Sequence, residues 1–150
     1  MSVQFVSGTL FDSDLKTLVN PVNCIGISGA GLAKRFKKLY PKMHAGYVKA
    51  CKSGECAIGR PWIWTVPRLR WVLCFPTKRH WHDPSELASL DAGLARFVEM
   101  HRQIEIESAA FPALGCGYGG LAWEDVRTLM LEHLEPLDIP VEIYLPQGRT

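Results

Sequence analysis

Apolar positions along the chain alternate between short continuous runs and helical stripes. "VQFVSG" (3–8) alternates and stops on glycine, and "TLVNPVN" (17–23) is β-branched and apolar, so both read as strands. A glycine-rich turn, "CIGISGAGLAKRFKKLYP" (24–41), feeds a helix. Ala33, Phe36 and Tyr40 share its apolar face, Lys34, Arg35, Lys37 and Lys38 mostly take the other, and Pro41 marks its end. "MHAGYVKACKSGE" (43–55) reads as a short helix closed by Gly54, and 60–67 and 70–76 as strands joined by a basic turn. Residues 83–103 form the clearest helix, with Asp83 expected at the N-cap, Pro84 in the first position and Glu86 three residues after the cap. Leu87, Leu90, Leu94, Phe97 and Val98 make its apolar stripe. A strand at 107–115 ends in "GCGYGG", and a helix over 123–137 turns Val126, Leu129, Met130 and Leu134 inward. "VEIYLP" (141–146) is the last strand.

Strands alternating with helices predict one α/β domain over 1–150, a three-layer α/β/α sandwich with a mixed, largely parallel central sheet. Ligands of such sheets bind outside the carboxyl ends of the strands. The three unusual loops, 24–31, 76–82 and 112–121, all lie at those ends and should converge on one cleft.

Composition adds mainly exclusions. The chain has 150 residues, 47% of them hydrophobic, enough for one sizeable core. A net charge of +2 does not by itself announce a nucleic-acid binder; clustering would have to. No apolar run has the length of a membrane span and no secretory signal opens the chain; with the cysteine pattern this fits a reducing cytoplasm, and a monomer is expected, although the sequence does not show the oligomeric state. Five cysteines without a repeated short spacing argue against a disulfide framework. Cys51 and Cys56 have no matching pair for zinc, and His80 and His82 lack a third ligand at useful spacing; neither metal nor cofactor is expected.

The chemistry is concentrated in the loops. "GISGAG" (26–31) opens a helix whose free N–H groups suit an anion, and "PALGCGYGGLAW" (112–123) follows the same logic. Two such loops at one sheet edge suit a diphosphate gripped from both sides, although glycine-rich turns also serve merely to close sharp connections. Neither loop has the spacing of a nicotinamide-binding or Walker fingerprint. Between them, "FPTKRHWH" (75–82) bunches Lys78, Arg79, His80, Trp81 and His82 directly after an apolar strand. Trp81 has two readings, a platform for a base or a staple against the 84–101 helix.

The blocks "LVNPVNCIGISGAGLAKRF", "FPTKRHW" and "PALGCGYGGLAWEDV" together resemble a macrodomain, the α/β module that binds ADP-ribose, over about residues 3–145. Within that family they are most similar to the DarG antitoxin branch, which removes the ADP-ribose that a DarT toxin attaches to thymidine in DNA. The resemblance implies an ADP-ribosyl glycohydrolase acting on thymidine in single-stranded DNA, with Lys78 and Asn23 as catalytic residues. It implies an ADP-ribose site made of Thr9 and Leu10 after the first strand, Gly29, Ala30, Gly31 and Leu32 at the first glycine loop, Thr77 before the lysine, Pro112, Ala113, Leu114, Gly115, Cys116, Gly117, Tyr118, Gly119 and Gly120 in the second loop, and Tyr144 on the last strand. Arg79, His80 and Trp81 are the expected DNA contacts, and a DarT-type toxin the implied partner.

Two departures carry weight. Many macrodomains place Asp after the glycine of the first strand to hold the adenine; here the pair is Gly8-Thr9, so either Thr9 accepts a weaker hydrogen bond or Asp12 substitutes. Glycohydrolases acting on glutamate esters pair their lysine with an Asp in the second loop, and "GCGYGG" offers no acid. Hydrolysis of ADP-ribose on protein carboxylates, or non-catalytic reading of ADP-ribose, are the alternatives. DarG proteins usually continue into a toxin-binding region, so a chain of this length is expected to be a stand-alone relative or one domain of a longer antitoxin.

Overall fold

Apolar side chains on both faces are what a sheet sandwiched between helices requires, and the central strands supply them. In the computed structural model, which describes residues 3–65 and 67–146, six strands lie in the order β1-β6-β5-β2-β4-β3. They are β1 (Val3–Val6), β2 (Thr17–Val22), β3 (Trp62–Trp64), β4 (Trp71–Pro76), β5 (Ala109–Phe111) and β6 (Val141–Tyr144). All pairings are parallel except β3 with β4. The helices are α1 (Gly31–Leu39), α2 (Pro41–Ser53), α3 (Leu87–Gln103) and α4 (Trp123–Leu134).

Successive residues of each strand serve opposite cores. Val19, Leu73, Phe75, Phe111 and Ile143 pack with α3 and α4. Leu18, Val22, Val72, Cys74 and Ala110 pack with Phe36 of α1 and with Met43, Tyr47 and Ala50 of α2. The mixed, mostly parallel sheet with helices on both faces is the architecture expected from the sequence. The predicted strand over 60–67 narrows to 62–64; Val66 lies outside the described residues. Trp62, Trp64 and Trp71 are half-buried on this edge of the sheet.

Strand order positions the site. From β2 the chain crosses to β4 on one flank and, through α3, returns to β5 on the other. That reversal opens a crevice beyond the carboxyl end of β2, where ligands of open α/β sheets bind.

Three local expectations need correction. α3 begins at Leu87, not beside Asp83; its N-cap is Glu86, in extended conformation and without a side-chain cap bond. The cause is tertiary: Ser85 N–H donates to the Gly119 carbonyl at 3.0 Å, which ties 83–86 to the second glycine loop. Leu87 therefore sits in the first turn and is exposed, while Leu90, Leu94 and Phe97 are fully buried. Pro41 not only follows α1 but occupies the first position of α2, two residues before the expected start. A 3-10 turn at Leu10–Asp12, capped by Thr9, was not anticipated, although Thr9-x-x-Asp12 is a capping-box spacing.

Gly93 of α3 lies against the Phe75 ring, where an added Cβ would come within 2.8 Å of Cε1 and closer still to Cζ. Helix propensity alone favours alanine there by about 1 kcal/mol, whereas overpacking costs about 1–3 kcal/mol. With so close an approach to a buried ring we expect Gly93→Ala to lose about 1–2 kcal/mol net in urea unfolding; a gain in stability would show that the α3–sheet contact is looser than described.

Candidate functional site

The first wall of the crevice is the chain leaving β2. Asn23 is 6% exposed, and its carboxamide is engaged within its own loop. Nδ2 donates to the Ile27 carbonyl at 2.8 Å, and Oδ1 accepts from Ile25 N–H at 3.1 Å. The Tyr47 hydroxyl lies 2.9 Å from the same Oδ1 and 2.8 Å from the Asn23 carbonyl, so α2 braces the loop from below. Burial first, and the neighbouring Cys51 next, push the Tyr47 pKa upward. Cys51 and Cys56 form a thiol pair beside it: the Cys56 hydrogen bond holds Cys51 down, to about 7, and the same bond with burial pushes Cys56 up.

The loop ends at the N-terminus of α1. Ala30 caps it without a side-chain bond, Gly31 has φ 57, and the first turn carries no acid. The first N–H groups are therefore left for an anion. The N-terminus of α4 contrasts with it, because Glu124 and Asp125 stand in its first turn.

The second wall is the loop after β5. Leu114 is buried, Gly115 and Gly120 take φ 72 and 77, and a Cβ on Gly115 would strike Leu121 at 2.9 Å. Gly119 packs so tightly on Ser85 that a Cβ has no room. Tyr118 is 80% exposed and reaches the opposite wall: a Cβ on Gly31 would sit 3.4 Å from its ring. The two glycine loops thus meet across the crevice through Gly31 and Tyr118. Ser28 and Ser85, one beside each loop, are buried with hydroxyls lacking a hydrogen-bond partner among the described residues. Sequence reasoning passed over both, because only the tertiary structure buries them.

The third wall is 77–82. Thr77 N–H donates to the Val22 carbonyl at 2.9 Å and Cys24 N–H to the Arg79 carbonyl at 3.0 Å, while the Cys24 thiol reaches the Lys78 carbonyl at 3.6 Å. Lys78 is fixed between these bonds with its side chain half-buried. Thr77, Lys78 and Arg79 line a groove of about 250 Å³ with Asp83, Pro84, Glu86 and Ser89. Arg79, His80 and His82 are exposed. Trp81 is 58% exposed, its ring edge-on to His82 at 5.2 Å, so the staple reading is set aside. His82 pairs with Asp83 at 3.2 Å, its ring 4.6 Å from that of His80.

At the far end of the crevice, Thr9 Oγ1 accepts from Arg35 Nη1 at 3.2 Å, and Arg35 lies over the Phe11 ring. The Asp12 carboxylate accepts from Thr9 N–H at 3.4 Å beside Gly8, so an acid does stand at the end of β1, three residues later than the family's usual place. Leu10 is buried beneath the turn. The Tyr144 side chain is buried, with its hydroxyl 3.5 Å from a Glu142 oxygen that also accepts from Ser13 Oγ at 2.6 Å.

Residues 19–130 match the Macro domain family. The chain is a macrodomain. A DNA ADP-ribosyl glycohydrolase of Mycobacterium tuberculosis is 43% identical over an alignment of 150 positions that covers 97% of this chain and 43% of that protein. The macrodomain thus spans less than half the length of this curated relative. The solved macrodomain of Mycobacterium tuberculosis DarG superposes with a TM-score of 0.92 at 42% identity, covering 97% of this chain and 98% of that one. Thermosipho africanus DarTG in complex with ADP-ribose gives 0.94 at 39% identity, covering 99% of this chain and 42% of that one. No helix among the described residues is long and apolar enough to cross a membrane.

Tyr47→Phe isolates the brace under Asn23. Losing one buried hydrogen bond costs about 1–2 kcal/mol in chemical unfolding at pH 7. The pH dependence has a definite sign. Because the folded-state pKa of Tyr47 is raised above an unfolded value of about 10, its contribution is complete below that pH and declines as pH rises beyond it. The phenylalanine variant should therefore lose less stability between about pH 9 and 11 than the parent does. Parallel stability curves over that range would show that Tyr47 is not the buried hydroxyl described.

Proposed function

We propose that this macrodomain hydrolyses the glycosidic bond between ADP-ribose and thymidine in single-stranded DNA. The observation that carries the reading is Lys78, half-buried at the end of β4 and held by backbone hydrogen bonds that join 77–79 to the chain leaving β2. The 43%-identical relative, a DNA ADP-ribosyl glycohydrolase, agrees with it.

In this reading the uncapped start of α1 and the 114–120 loop hold the diphosphate, which fixes the distal ribose by positioning. Asn23 acts by shaping its loop rather than by donating a proton, since its amide already serves Ile25 and Ile27. Thr9, Leu10 and Tyr144 border the adenine end. Breaking the bond leaves the electron pair on the thymine ring nitrogen and oxocarbenium character on the ribose. The Lys78 ammonium donates to the departing base, and water adds to the anomeric carbon and returns a proton to the amine. Arg79 meets a phosphate, and Trp81 with His80 stacks on a neighbouring base, because the modified thymine must leave the stack to enter. A reader of ADP-ribose has no use for such a lysine. A glutamate-ester hydrolase of the related branch uses an acid in the second loop, which "GCGYGG" lacks. The DarT-type partner, the monomeric state and the cytoplasmic location belong to the same proposal.

General acid help is worth about 10²–10⁴-fold. Lys78→Ala should therefore slow ADP-ribose release from an ADP-ribosylated thymidine oligonucleotide by that factor while still binding free ADP-ribose in calorimetry. A variant working at near-parental rate would remove Lys78 from the chemistry.

A further inference from the structure

The small net charge conceals a division of the chain. Residues 15–82 contain 13 Lys and Arg against one acid, Glu55, whereas residues 83–150 contain four Lys and Arg against 12 Asp and Glu. The fold keeps the two halves apart: α1, α2, β3 and β4 come from the first, and α3 and α4, on the opposite face of the sheet, from the second. A polyanion is drawn to one layer and repelled by the other.

We propose that Lys49, Lys52, Arg60 and Arg79 form the track that carries the single-stranded DNA flanking the modified thymidine past the cleft. The proposal rests on the function given above and adds where the strand runs. All four side chains are exposed, and none is in an ion pair among the described residues. They gather on one flank of the crevice. The last turns of α2 lie against the 23–27 loop, with Val48 packed on Gly26, where a Cβ would meet it at 3.4 Å, and the Cys51 thiol 4.0 Å from the Asn23 carbonyl. Lys49 and Lys52 are on those same turns. Arg60 follows directly, its Nη1 donating to the Gly54 carbonyl at 3.4 Å. It enters β3 at the cleft edge, since Trp62 pairs with Cys74 near the end of β4. Arg79 is tied to the first loop through Cys24. The exposed Trp81 ring adds a stacking surface two residues further on. Lys37, Lys38 and Lys42 lie at the junction of α1 and α2, a full helix length from the Gly31 end that faces the cleft. They supply charge without adjacency.

The two possibilities, a track or a diffuse basic face, separate by salt dependence. Each phosphate contact on a single strand contributes about 0.7 to the slope of log affinity against log salt. Binding of an unmodified oligothymidylate is measured from low to moderate salt for the parent, for Lys49→Gln with Lys52→Gln and Arg60→Gln, and for Lys37→Gln with Lys38→Gln and Lys42→Gln. The first triple should flatten the slope by about 2; the second should leave it near the parent's. A charge-keeping variant, Lys49→Arg with Lys52→Arg and Arg60→Lys, should retain the parental slope, which separates lost charge from disturbed folding. An unchanged slope in the first triple, or equal flattening in both glutamine triples, overturns the track. The proposed chemistry is scored independently by parental release of ADP-ribose from a modified thymidine mononucleotide, so either idea can fail alone.

Discussion

The continuation of the β2–β4 ladder beyond the sheet is the constraint on which the site depends. Thr77 N–H to Val22 and Cys24 N–H to Arg79 keep two loops paired after the strands have ended. Lys78 stands between those bonds, so its backbone has the rigidity of a strand while its side chain has the freedom of a loop. Catalytic groups gain most from such placement, because positioning is secured before the ligand arrives. Asn23 and Tyr47 complete the brace from the α2 side.

The glycines serve the same end by different means. Gly119 and Gly115 are excluded from bearing side chains by Ser85 and Leu121, which lets the second loop fold down on the residues before α3. Gly31 gives way to Tyr118, so one loop rests on the other. The tight seams leave no room for side chains at Gly115 and Gly119, so backbone forms those stretches of the wall. Such a surface suits a diphosphate and carries little information about what is attached to it. In the proposed reading, discrimination between attached groups falls to 77–82, where the chain changes from apolar to basic and aromatic within a few residues.

Much of the architecture was legible because the strands are short, apolar and punctuated. The cleft followed from counting which loops leave the carboxyl ends of strands. What escaped was set by contacts distant in sequence. Asp83, Pro84 and Glu86 have a faultless helix-start pattern, yet with Ser85 tied to Gly119 the helix starts only at Leu87. Asn23 reads as a polar group awaiting a ligand, but Tyr47, 24 residues away, engages it. Trp81 offered two readings that sequence could not separate, and its exposure decides for the surface. The charge division was present in the sequence throughout, and acquired meaning only once the fold put its halves on opposite faces.

The central claim is that the bond broken joins ADP-ribose to a base rather than to a carboxylate. The most direct measurement supplies the macrodomain with thymidine-linked ADP-ribose in single-stranded DNA and, separately, with a glutamate-linked peptide at equal concentration, and follows released ADP-ribose. The account predicts rapid release from the DNA and little from the peptide. Preferential release from the peptide, or tight binding of ADP-ribose with turnover of neither, would contradict it.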